Sequence, residues 1–151
     1  MEFKTATLNQ LPAIVRLLAD DEFGATRERY EKPLPKEYIE AFAKIEQQMG
    51  NSIIVVMVKN EVIGCLQLTL IPGISRLGTT RGQIEGVRID KDYRGKGVGE
   101  SLLRYAINEA KTMGCEMIQL TTDKKRKDAH RFYERLGFVA SHEGMKLSLI
   151  N

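Results

Sequence analysis

The residues most able to do chemistry lie in one run, Glu85-Gly86-Val87-Arg88-Ile89-Asp90-Lys91-Asp92-Tyr93-Arg94-Gly95-Lys96-Gly97-Val98-Gly99. It reads as a strand, a short turn, and alternating glycines that open a helix. Glycines at 95, 97 and 99 gather backbone N–H groups with no side chains in the way. A helix start adds unpaired N–H groups and a partial positive charge. The pattern is suited to a phosphate or pyrophosphate.

Two nucleotide motifs can be excluded on spacing. A Walker A loop needs Gly, four residues, then Gly-Lys-Ser/Thr, and the chain has no such string. A dinucleotide fingerprint needs Gly-x-Gly-x-x-Gly near the start of a long βαβ array. Here the glycines are spaced by two throughout and lie past the middle of a chain of 151 residues.

Arg94-Gly95-Lys96-Gly97-Val98-Gly99 resembles the Arg/Gln-x-x-Gly-x-Gly/Ala signature of the GCN5-related N-acetyltransferases (GNAT). Its surroundings resemble the same family. Gln83 to Ile89 corresponds to the family's fourth strand, Val98 to Met113 to the following helix, and Cys115 to Thr122 to the fifth strand. Asp128-Ala129-His130-Arg131-Phe132-Tyr133-Glu134-Arg135-Leu136-Gly137-Phe138 is similar to its later Ala-x-x-Phe-Tyr-x-x-x-Gly-Phe block. Lys127 to Tyr133, with Leu120-Thr121-Thr122, is more weakly similar to the aminoalkylphosphonate acetyltransferase branch.

The resemblance implies transfer of an acetyl group from acetyl-coenzyme A, the cosubstrate, to a primary amine, by direct attack in a ternary complex. It implies that Arg94, Gly95, Lys96, Gly97, Val98 and Gly99 hold the pyrophosphate. Val87, Arg88 and Ile89 would pair with the pantetheine arm, one N–H polarising the thioester carbonyl. An alkyl ammonium must lose a proton before it attacks, and Glu85 is the candidate base, directly or through a water. Strand alternation puts Glu85 on the face of Val87 and Ile89. The alternative is that Glu85 only binds the substrate ammonium or is solvated. Tyr133 occupies the place of the family's proton donor to the departing thiolate; the alternative is a ring packed in the core. The family's pantetheine-binding asparagine has no counterpart, since the chain reads Thr121-Thr122-Asp123 there. Arg88 or Arg76 would meet an anionic acceptor group. His130 is expected at the surface or as a cap, the alternative being that it faces the site.

These residues need a scaffold, and the rest of the chain supplies one. A length of 151 residues, 42% hydrophobic and 28% charged, fits one soluble globular domain over 1–151. Leu11, Ile14, Val15, Leu17 and Leu18 fall at helical spacing after Asn9, a plausible N-cap. Glu37 to Met49 reads as a second helix with Tyr38, Phe42, Ile45 and Met49 on one face. Ser52 to Lys59 and Val62 to Ile71 flank a tight turn and form an antiparallel hairpin. Phe138 to Ala140 and Met145 to Ile150 read as two closing strands around His142-Glu143-Gly144. The order βααβββαβαββ is α/β, with a GNAT-like mixed, largely antiparallel sheet flanked by helices.

Charge and cysteine content narrow the partners. The net charge of +3 lies entirely in Asp123 to Arg135, which holds six basic and three acidic residues, leaving seventeen of each elsewhere. This is a solvated helix start or a contact for coenzyme A phosphates. It is too small a stripe for nucleic-acid recognition. Cys65 and Cys115 make no metal-ligand spacing with His130 and His142, so no metal is expected, and both read as buried strand residues. No leader or membrane-length apolar run is seen, which suggests a cytoplasmic protein. The expected partner is a small-molecule amine, and a homodimer is the assembly the resemblance suggests. The alternatives are a protein or peptide acetyltransferase and a non-catalytic coenzyme A-binding regulator.

Overall fold

The structure is a computed structural model and describes residues 1–150. The chain forms two compact units, Met1–Gln119 and the portion from Leu120 onward.

The first unit carries a five-stranded sheet in the order β1-β2-β3-β4-β5. Its strands are β1 (Glu2–Thr5), β2 (Asn51–Val58), β3 (Glu61–Pro72), β4 (Thr80–Ile89) and β5 (Met117–Leu120). The three pairings from β1 to β4 are antiparallel. Lys59 and Asn60 take φ of 51° and 65°, which gives the β2–β3 hairpin the left-handed turn that suits strand twist. The helices are α1 (Leu11–Ala19), the single turn α2 (Gly24–Arg27), α3 (Lys36–Gln47), the single turn α4 (Ser75–Gly78) and α5 (Val98–Thr112).

Helices cover both faces of the sheet. On one face Leu11, Ile14, Val15 and Leu17 of α1 and Phe42 of α3 pack with Val55 and Cys65. On the other, α5 buries Leu102, Leu103, Ala106 and Ala110. Gly82 of β4 is required there, because a Cβ would stand 2.7 Å from the Ile118 side chain and 3.6 Å from that of Ala110. Among the described residues no helix is long and apolar enough to cross a membrane.

Three local expectations change. The cap of the first helical segment lies at Thr7, whose N–H donates to Gln10 Oε1 at 2.7 Å, and not at Asn9. Glutamine reaches back to the entering backbone as in a capping box. Met49 falls beyond the end of α3 and is exposed, because α3 stops at Gln47. Cys65 is buried in β3 as expected, whereas Cys115 lies before β5 in the turn that closes α5.

The second unit contains α6 (Lys127–Arg135). The two closing strands expected at Phe138–Ala140 and Met145–Ile150 are not formed: residues 138–150 hold neither strand nor helix. Strand alternation stabilises a segment only when a partner supplies the ladder, and these segments make no ladder with each other.

Candidate functional site

The geometry begins with a bulge in β4. Cys65 pairs with Arg88, and Gln67 pairs with Glu85, so Gly86 and Val87 together oppose Leu66. One extra residue on β4 interrupts the ladder and leaves backbone groups there without their regular partners. Gly86 takes φ of 62°, the left-handed conformation that such a bulge places on glycine. Leu18 of α1 lies 3.7 Å from where its Cβ would be.

The bulge corrects the expected orientation of Glu85. Cross-strand partners share a face, so Glu85, opposite Gln67, lies on the face of Arg88 and Cys65, not on that of Ile89, which is opposite Gly64. Simple alternation fails because the inserted residue flips everything beyond it. The face that carries Glu85 is polar along this stretch. Gln67 and Thr69 donate to Asn51 Oδ1 at 2.9 and 3.1 Å. Gln119 donates to Gln83 at 2.7 Å and accepts from Arg81 at 3.3 Å. The Glu85 side chain is exposed.

Arg88 is engaged within the protein. Its Nε lies 3.3 Å from Asp21 Oδ2, with both side chains only 16% exposed. Its Nη1 donates to the Val87 carbonyl at 2.8 Å. Two further ties run between the end of α1 and this segment. Arg16 donates to Asp90 at 3.1 Å, and Arg94 Nη2 donates to the Asp20 carbonyl at 3.4 Å. Arg94 Nε also donates to the Ile89 carbonyl at 3.0 Å, so its guanidinium braces the loop it begins.

Asp90 starts the turn into the loop, its Oδ1 accepting from the Asp92 N–H at 2.9 Å. That bond, and then the Arg16 guanidinium, hold its carboxyl below the ordinary carboxylate range. Gly95 and Gly97 take φ of 75° and 81°, and no atom lies within 4 Å of either missing Cβ. Packing therefore does not demand glycine at either position; the backbone conformation does, and open space remains before it. Gly97 is the N-cap of α5 and brings no side-chain cap, so the first-turn N–H groups face no competing side-chain acceptor from the cap. Val98 turns its side chain into the core, which leaves only its backbone for the cradle. Lys96 Nζ sits 5.7 Å from the centre of the Tyr93 ring. These features fit a pyrophosphate.

Cys65 lies beneath the bulge, its thiol donating to the Gly86 carbonyl at 3.8 Å. Burial pushes the thiol up to about 12, so it stays protonated at neutral pH. A buried thiol of this kind is a packing residue rather than a nucleophile.

In the second unit, Tyr133 of α6 meets Phe132 and Phe138 edge-on, with ring centres 5.2 and 5.8 Å apart. Asp123 Oδ1 accepts from the Lys125 N–H at 2.9 Å, so the residue at the missing asparagine's place shapes its own turn. His130 differs from expectation. Its Nε2 is enclosed without a hydrogen-bond partner among the described residues. Its three-residue separation from Tyr133, which sets both on one helix face, was the available signal.

A concavity of about 620 Å³ is lined by Asn9, Gln10, Arg16, Asn60, Glu61 and Asp90 among others. It includes neither Glu85 nor the loop glycines.

The fold and site together define an α/β protein in which a bulged strand runs into an open, uncapped helix start. The chain belongs to the acetyltransferase (GNAT) family, whose model matches residues 12–138. It is 43% identical over 61 residues to an aminoalkylphosphonate N-acetyltransferase of Salmonella typhimurium, covering 40% of each chain. It is 34% identical over 88 residues to a glucosamine 6-phosphate N-acetyltransferase of Trypanosoma brucei brucei, covering 58% of each. The matches thus span about 40 to 58% of these relatives' lengths. A solved structure of a transcriptional regulator from Bacillus halodurans C-125 is 49% identical, with a TM-score of 0.95 over 98% of this chain and 99% of that one.

Proposed function

We propose that the protein, acting as one domain over residues 1–151, transfers the acetyl group of acetyl-coenzyme A to the primary amine of a small molecule. The observation that carries this reading is the open glycine cradle at the uncapped start of α5, directly after the bulged strand. Gly95, Gly97 and the first-turn N–H groups hold the pyrophosphate, with Arg94, Lys96, Val98 and Gly99 forming the rest of the loop. Val87, Arg88 and Ile89 align the pantetheine arm through their backbone, and an N–H freed by the bulge stabilises the developing oxyanion. Glu85 takes the proton from the substrate ammonium, directly or through a water. The amine nitrogen then forms a bond to the acetyl carbon as the carbon–sulfur bond breaks. Tyr133 gives its hydroxyl proton to the departing thiolate, and the second proton, shed by the newly acylated nitrogen, returns through solvent to the tyrosinate, which leaves a neutral amide and a free thiol.

The acceptor is an amine that also carries an acidic group. Two relatives act, by name, on an aminoalkylphosphonate and a sugar phosphate, and the face bearing Glu85 also presents Arg81. Arg88, held by Asp21, serves the scaffold instead. The expected assembly is a homodimer and the expected setting the cytoplasm.

The test is calorimetric titration with acetyl-coenzyme A, repeated on Gly97→Trp, followed by an amine screen that begins with aminophosphonates. Saturable binding abolished by the substitution supports the reading; an intact protein that binds no acetyl-coenzyme A ends it. A second reading, a coenzyme A-binding regulator without catalysis, is favoured by the described role of the Bacillus halodurans protein. Binding without acetylation of any amine, combined with salt-sensitive retention on DNA, would select it.

A further inference from the structure

The polar face of the sheet beside Glu85 carries a run of side-chain amides whose direction is fixed. Arg81 Nη1 donates to Gln119 Oε1 at 3.3 Å, and Gln119 Nε2 donates to Gln83 Oε1 at 2.7 Å. A guanidinium has donors only, so the Gln119 amide must turn its oxygen to Arg81 and its nitrogen to Gln83. Gln83 must then point its oxygen back at Gln119. Its own Nε2 is left as a donor, without a partner among the described residues and not enclosed. All three side chains are half-buried. Holding two glutamines and an arginine in one pose costs rotamer freedom that an ordinary polar surface keeps.

The neighbouring positions have the opposite polarity. Glu85 lies two residues further along β4 on the same face, about 7 Å away at the rise of a strand. Its exposed carboxylate only accepts. Gln67, opposite Glu85, gives its Nε2 to Asn51 Oδ1 at 2.9 Å, which leaves its Oε1 to accept from another donor. Acceptors therefore stand at one end of the row, on Glu85 and Gln67. Donors stand at the other, on Gln83 and Arg81. The row is complementary to a short molecule with an ammonium at one end and an acid at the other.

We propose that Gln83 determines acceptor specificity: its side-chain amide donates to an oxygen of the acceptor's acidic group while the amine lies at Glu85. Gln119 is a positioning residue that, fixed by Arg81, holds the Gln83 amide in that sense. The inference rests on the amine-plus-acid reading above and adds the groups that enforce it. A guanidinium alone attracts any anion, whereas a directed amide two residues from the base selects an acid only a few atoms from the amine.

The test is a titration of the isotope-labelled protein with aminoethylphosphonate, read from side-chain amide resonances. Ethylamine is the control that lacks the acid. Both titrations are repeated on Gln83→Leu and Gln119→Glu. The carboxylate placed by the second substitution still accepts from Arg81 but must also accept from Gln83, so the Gln83 amide turns its nitrogen inward. The intact protein is expected to show a saturable shift of the Gln83 amide with aminoethylphosphonate and none with ethylamine. Aminoethylphosphonate affinity is expected to fall roughly tenfold or more in both variants. In Gln119→Glu the Gln83 amide should also stop responding at saturation, which charge repulsion alone would not cause. If Gln83→Leu fails to fold, the nearly isosteric Gln119→Glu decides. Binding that neither substitution weakens, or no saturation at millimolar aminoethylphosphonate, overturns the proposal. Acetyl transfer to ethylamine and aminoethylphosphonate alike ends the role of Gln83 and leaves the transferase. Directed aminoethylphosphonate binding with no acetyl transfer ends the transferase and leaves the subsite.

Discussion

The segment from β4 to α5 and the segment from Leu120 onward are held in opposite ways. In the first, polar side chains reach far along the sequence. Arg16 meets Asp90 and Arg94 meets the Asp20 carbonyl, each across 74 residues, and Arg88 meets Asp21. In the second, they reach their neighbours. Asp123 serves Lys125, Arg131 lies 3.3 Å from Asp128, and Ser141 bonds His142. A loop proposed to present bare N–H groups to an anion could not brace itself, because capping side chains would occupy the site. The end of α1 does the bracing from behind. The second segment carries a recognisable motif around Tyr133, whose ring meets those of Phe132 and Phe138.

Each side of this contrast can be broken. The largest effect is expected from Gly97→Trp, which puts a bulky side chain where φ is 81° and the space is open, and abolishes acetyl-coenzyme A binding in calorimetry. Next come Glu85→Gln and Tyr133→Phe, one in each segment. Each is expected to lower kcat by roughly 10²- to 10⁴-fold while the cosubstrate affinity stays within about threefold. A Glu85→Gln change that raised KM and left kcat alone would make Glu85 an ammonium ligand. Asp21→Asn removes the partner of a mostly enclosed guanidinium and is expected to cost about 2 kcal/mol in urea unfolding. An unchanged midpoint would show that the brace is ornamental.

Asp90→Asn should have the smallest effect, about 1 kcal/mol at neutral pH. Its sign with pH follows from the depressed carboxyl. The stabilisation is complete above the ordinary carboxylate value near 3.8 and fades as pH falls through the lower folded value. The substituted protein should therefore lose less stability than the parent between neutral pH and about pH 3, read from unfolding midpoints.

Much of this site was legible in local signals. The glycine loop, the strand before it and α5 after it stand where periodicity and spacing put them. The β2–β3 hairpin turn sits at Lys59-Asn60, within the expected turn. What alternation could not show was that β4 carries an extra residue. Gly86 was the signal, since an isolated glycine within a strand pattern often marks a bulge. Without it, alternation sets Glu85 on the face of Ile89 and gives no hint of the Asp21 partner that engages Arg88.

By itself, then, the sequence determined most of the elements as far as α6 and the glycine loop before α5, because turns and helix starts are decided largely by a few adjacent residues. Only the tertiary structure decided which face Glu85 takes, where Arg88 and Arg94 spend their charge, and that residues 138–150 form neither strand nor helix. Those outcomes depend on register and on partners distant along the chain. A one-residue slip reverses a strand's faces, and an ion pair forms only between groups the fold has already brought together.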